Sequence, residues 1–143
     1  MKKLLLALLS CAILTPALAA DPIKARKDVF EQYKKTVGPM SKVIKGDSPF
    51  NKDEFAKMAA HLDELAQQPW QYFTPGSDKG KTDAKAEIWS KPAEFKAAVD
   101  SHKTEVAKLK QTAAAAKTLD DVKPQFGAVM KTCKTCHDSF RAD

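Results

Sequence analysis

This 143-residue chain has no run in which apolar and polar residues alternate between turn residues, so the usual mark of a half-buried strand is missing. It has no basic cluster interleaved with aromatics and no zinc-finger spacing, so nothing points to nucleic acid. Beyond residue 20 no segment is long and apolar enough to span a bilayer, so no membrane span is expected. Cysteine is scarce, with three in all (Cys11, Cys133 and Cys136), too few for a disulfide framework. What remains is dominated by Ala, Lys, Glu and Leu, the composition of helices.

The first twenty residues stand apart. Lys2 and Lys3 give a positive start, residues 4–14 an apolar stretch, Pro16 a break, and Ala17-Leu18-Ala19-Ala20 the small residues a signal peptidase needs. Residues 1–20 therefore read as a secretory signal peptide, cut after Ala19 or Ala20, with export to the periplasm. Leu8-Leu9-Ser10-Cys11 loosely resembles a lipoprotein site, but the run after Cys11 stays apolar where a lipoprotein turns polar. The formal net charge of +6 drops to +4 when Lys2 and Lys3 leave with this segment. The remaining lysines are interspersed with Asp and Glu, as on a solvated helical surface; weak steering toward an acidic redox partner is the functional reading.

Residues 21–143 form one domain with room for a single core. Four long helices are expected. The first runs from residue 22 to 37 or 44, capped by Asp21, with a bend expected at Gly38-Pro39. The second starts from Asn51 with Glu54 three residues later, a capping box, and ends at Pro69. Residues 69–86 carry prolines, glycines and mixed charges and read as a long loop. The third helix covers about residues 91–117, and the fourth starts near Thr118 and runs into Cys133. Joined mostly by short turns, these make an all-α, antiparallel up-down-up-down four-helix bundle, a fold that holds cofactors between facing helices.

The chemistry is concentrated in the last helix. In Cys133-Lys134-Thr135-Cys136-His137 the thiols at i and i+3 and the imidazole at i+4 share one face. Two thiols can add to the two vinyl groups of haem, and the adjacent imidazole then serves as an axial ligand to iron. This pattern is the attachment signature of haem c and far more specific than Cys-x-x-Cys alone. A thiol-disulfide protein is the remote alternative: it would want its first Cys at a helix N-terminus after a strand, and here the pair lies late in a helix. Zinc would need a second ligand pair, which His61 and His102 do not make.

His137 lies six residues from the last residue, so a sixth iron ligand would have to come from upstream. Met130 is on the same helix and cannot reach the opposite haem face. Met40, Met58, His61 and His102 are open to the role, though each is more simply core or surface, and both histidines are expected at the surface.

Beyond the motif, Arg26 with an aromatic four residues on, Lys45-Gly46, Pro69-Trp70 with Phe73, Glu87-Ile88-Trp89 and Phe140-Arg141 recur in a recognisable order. Together they resemble cytochrome c′, the class II c-type cytochromes, over essentially the whole chain after residue 20. The resemblance implies one covalent haem with a five-coordinate, high-spin iron that binds NO and CO. It assigns Arg26 to a haem propionate and Phe30 to the distal haem face, where low-spin relatives carry a ligand Met. It puts Lys27 and Glu87 at the haem edge, makes Trp70, Phe73 and Phe126 pocket walls, and places Arg141 beside the proximal imidazole. It also implies a homodimer.

Two classes of function follow: electron transfer, and capture of NO or CO at an open iron position. A six-coordinate, low-spin electron carrier is the alternative. An enzyme is not expected, because the sequence shows no convincing distal acid/base pair for peroxidase-type turnover. No redox partner can be named.

Overall fold

A computed structural model describes residues 21–142. The signal-peptide reading and Cys11 lie outside the described residues. The order is α1 (Pro22–Lys45), α2 (Lys52–Leu65), a 3-10 turn (Pro69–Tyr72), a short α3 (Glu87–Ser90), α4 (Pro92–Ala115) and α5 (Leu119–Phe140). The four long helices form the expected antiparallel bundle, and no strand is present among the described residues.

Helix starts follow local chemistry. Asp21 Oδ1 accepts from the amides of Ile23 (2.9 Å) and Lys24 (3.3 Å). Asn51 Oδ1 accepts from the amides of Asp53 and Glu54. At α5, Thr118 and Asp121 form a reciprocal capping box, with Asp121 Oδ2 accepting from the Thr118 amide at 2.8 Å. Each arrangement satisfies amides that have no partner within the helix. α1 ends at Gly46, whose φ of +84° closes the helix in a conformation that favours glycine.

α1 runs on through Gly38-Pro39 to Lys45, close to the longer of its two expected extents, because Met40 and Val43 just beyond are buried in the core. That burial outweighs the hydrogen bond lost at Pro39. One expectation is corrected: residues 69–86 are not wholly irregular, since Pro69 opens a 3-10 turn, and residues 87–90, between that stretch and the expected third helix, form the short α3.

The core is drawn from all four long helices. Met40, Phe55, Ala59, Leu62, Val106, Leu109, Val122 and Val129 are fully shielded from solvent. Packing runs from α1 to α2, α2 to α4 and α4 to α5, while α1 and α5 approach each other less closely. That looser seam positions the site. Leu109→Ala should cost about 2–5 kcal/mol of unfolding free energy, whereas Asn51→Ala should cost about 1 kcal/mol. Urea denaturation of the haem-loaded variants checks both.

Candidate functional site

A cavity of about 400 Å³ opens along the seam between α1 and α5. α5 supplies one wall through Met130, Thr132, Cys133, Cys136, His137 and Phe140. Cys133 and Cys136 are half-buried free thiols, one helical turn apart on the face turned to the cavity. Burial pushes the Cys136 thiol up to about 11, with Cys133 adding to the shift. Burial also raises Cys133. Both therefore stay protonated at neutral pH, unlike the thiolates of disulfide exchange. His137 follows at the mouth, its pKa lowered by burial and then by Arg141, which favours the neutral ring whose lone pair can bind a metal.

The facing wall is aromatic. Phe30 of α1 packs against Tyr33 (5.6 Å between ring centroids), Trp70 (6.0 Å) and Phe73 (6.5 Å). Trp70 of the 3-10 turn donates its indole N–H to the Ala66 carbonyl at 2.6 Å, which fixes the ring. Phe95 of α4 joins Phe73 at 5.1 Å and Phe140 at 5.3 Å, closing one end.

Arg26 is 2% exposed and holds the loop that covers this end. Its Nη1 donates to the Tyr72 carbonyl (3.1 Å) and Ser77 Oγ (2.8 Å), and its Nη2 donates to the Ser77 carbonyl and Thr82 Oγ1, both at 2.7 Å. The guanidinium lies over the Phe73 ring at 4.7 Å. Its Nη hydrogens are thus engaged by the protein, leaving Nε–H for a cofactor carboxylate. Lys27 sits at the rim, where its Nζ donates to the Lys81 carbonyl at 3.1 Å. The loop is also tied to the end of α5: Lys85 N donates to the Phe140 carbonyl and Ala142 N to the Asp83 carbonyl. Arg141 lies there too, lining the cavity with its charge 3.8 Å from Asp83.

His102 departs from the surface position expected of it. It is 5% exposed, lines the cavity from α4, and has both ring nitrogens engaged. Nε2 lies 3.3 Å from the Tyr33 hydroxyl, and Nδ1 lies 2.8 Å from Thr132 Oγ1. Burial, followed by the charge of His137, pushes its pKa down to about 4. His61 is exposed and 3.5 Å from Glu64. Met40 is sealed in the core, and Met58 packs against it from outside the cavity.

Of the residues given a role by resemblance, Phe126, expected as a pocket wall, and Glu87, expected at the haem edge, do not line the cavity. Phe126 faces the bundle core and packs on Phe55 at 6.4 Å, because its position on α5 points between the helices rather than into the seam. Glu87 is exposed on α3 and does not line the cavity, whereas its neighbour Ile88 does. Tyr33, Phe95, His102 and Thr132 were not singled out as pocket residues. The 3-4 spacing of apolar residues along a helix points Tyr33 and Phe95 inward but does not distinguish a core from a cavity.

The cavity fits haem c. Apolar walls suit a macrocycle, two thiols one turn apart suit two vinyl groups, and a neutral imidazole one residue further on suits iron. The cations Lys27, Lys34 and Arg141 at the rim suit carboxylates. When bound, the group supplies a one-electron redox centre with an iron that takes small ligands.

Arg26→Gln should release the loop: amides of Ser77 and Thr82 should exchange with deuterium about ten-fold faster or more, read by mass spectrometry. His102 has a folded pKa below the ordinary 6.5, so the unfolded chain binds more protons between the two values. Stability should therefore fall as pH drops from about 6.5 toward 4, by up to about 3 kcal/mol. The difference in urea midpoint between wild type and His102→Phe, followed across that range, isolates this contribution.

The family model for cytochrome c′ matches residues 21–141. Cytochrome c′ of Alcaligenes xylosoxydans xylosoxydans is 35% identical over 121 residues, covering 85% of this chain and 93% of the relative. Among solved structures, a nitric oxide complex of a variant of the Alcaligenes xylosoxidans protein has a TM-score of 0.80 at 33% identity, covering 86% of this chain and 94% of that one. A carbon monoxide-bound variant of the same protein gives 0.80 and 33%, covering 86% and 95%. With the attachment motif on α5, the cavity beside it and likeness along nearly the whole described length, this chain belongs to the cytochrome c′ family and is a c-type haem protein carrying haem c.

Proposed function

We propose that this protein works in the periplasm as a haem protein whose iron keeps one axial position open, so that it binds NO and CO as well as passing single electrons. One observation carries the reading. His102 is the one histidine besides His137 that lines the cavity, and both of its nitrogens are held by other side chains. A ring so engaged would have to give up at least one of these hydrogen bonds to offer a nitrogen to a metal. Phe30, on the facing wall, has no lone pair to give, and Met40 and Met58 do not line the cavity. The relatives solved with nitric oxide and carbon monoxide support the choice of ligands.

Export follows from the character of residues 1–20, and no helix among the described residues is long and apolar enough to cross a membrane. The rim cations give a surface on which an acidic redox partner could be steered. A homodimer accords with the resemblance.

The ferrous haem-loaded protein should show a high-spin optical spectrum that shifts on adding NO or CO. A low-spin spectrum indifferent to both would replace this reading with the six-coordinate electron carrier. Phe30→Met should turn the spectrum low-spin and weaken CO binding roughly ten-fold or more, as the thioether occupies the open position. An unchanged spin state and CO affinity would remove Phe30 from that position.

A further inference from the structure

The trio Tyr33, His102 and Thr132 ties α1, α4 and α5 together, and the direction of its hydrogen bonds can be deduced. The Thr132 hydroxyl donates to the Val129 carbonyl at 2.7 Å, an ordinary bond back along α5. A hydroxyl has one proton, so Thr132 Oγ1 can only accept from His102 Nδ1 at 2.8 Å. A neutral imidazole carries one N–H, which is now placed on Nδ1. Nε2 is therefore an acceptor, and the Tyr33 hydroxyl 3.3 Å away donates to it. With its proton spent on His102, the Tyr33 oxygen has only lone pairs left.

Tyr33 and His102 both line the cavity, on the side of Phe30 and Trp70, whose rings lie 5.6 Å from Tyr33 and 6.2 Å from His102 respectively. The charged Lys27, Glu31 and Lys34 of α1 also line the cavity, while Phe30, Trp70 and Phe73 beside Tyr33 and His102 are apolar rings with no preference between small ligands beyond size. Tyr33 adds one: its oxygen can accept a hydrogen bond and has no proton to offer.

We propose that Tyr33, oriented by His102 and Thr132, is a specificity-determining residue of this cavity, shifting its selectivity toward small nitrogen hydrides, ligands that bring their own N–H, relative to acceptor-only diatomics such as CO. His102 and Thr132 are positioning residues: they act by fixing the direction in which the Tyr33 proton points. The inference rests on the proposed open iron position and names a second class of ligand for it.

The test titrates hydrazine, counted as its free base, and CO optically into the ferrous haem-loaded protein and its Tyr33→Phe variant. One lost hydrogen bond should weaken hydrazine about five-fold while CO affinity stays within about two-fold. Equal losses for both ligands, or no change in either, would overturn the proposal and leave the trio as helix-to-helix fastening. A second measurement needs no ligand comparison: two-bond ¹H–¹⁵N spectra of the diamagnetic ferrous–CO protein read the tautomer of His102. Nδ1–H is expected; Nε2–H would reverse the chain, turn the Tyr33 proton loose and sink the assignment. A low-spin spectrum before any ligand is added would instead count against the open iron position, and the tautomer would still decide the role of Tyr33.

Discussion

Everything at this site depends on the requirement that two thiols and an imidazole face the same way from one rigid helix. Spacings of three and four residues do this only while α5 stays helical through Cys133, Cys136 and His137. The helix is fixed at its start by the capping box at Thr118 and Asp121, and along its first half by Val122, Phe126 and Val129 buried against the rest of the bundle. Beyond Phe140 the chain leaves the helix and pairs with the loop, Ala84 opposite Arg141. The attachment face is thus held by packing behind it and by the covering loop at its end.

A second constraint follows from the first. If α5 presents its reactive face to a cavity, some other element must stand off from it without collapsing inward. The aromatic wall meets that need. Phe30, Trp70, Phe73 and Phe95 brace one another edge to face, and large rigid rings lose little conformational freedom when so packed. Arg26 supplies the polar half of the brace, since the Nη hydrogens of its buried guanidinium are bonded to loop oxygens and the group is stacked on Phe73. A guanidinium can do this where a lysine could not, because its donors lie in one plane and point to several acceptors at once.

What could be read from the sequence was what is local. Asp21, Asn51 and Thr118 cap the helices because a side-chain oxygen near the first free amides has the same consequence in any fold. Cys133, Cys136 and His137 are legible for a similar reason: their chemistry is written in their spacing. Pro39 left the end of α1 open between residues 37 and 44, and the burial of Met40 and Val43 decides for the longer helix. Phe126 misled, since an inward aromatic can serve the core as well as a cavity. His102 was missed because its neighbours along α4 are Ser101 and Lys103, while the groups that bury it come from Tyr33 and Thr132, far away in sequence.

That a polar trio sits where apolar side chains would pack needs its own explanation. Three apolar residues of similar volume would fill the space between α1, α4 and α5 with no desolvation cost and no directional demand. The trio has to satisfy every donor and acceptor it buries, and among the described residues no buried side-chain polar atom lacks a partner. It also makes the fold sensitive to acid, because His102 must remain neutral for its two bonds to hold their directions. Fastening alone accounts poorly for such an arrangement, since neutral hydrogen bonds add only about 1 kcal/mol each. An arrangement that fixes the direction of a single hydroxyl proton beside the aromatic wall of the cavity is better explained by what that cavity admits than by how firmly its walls are joined.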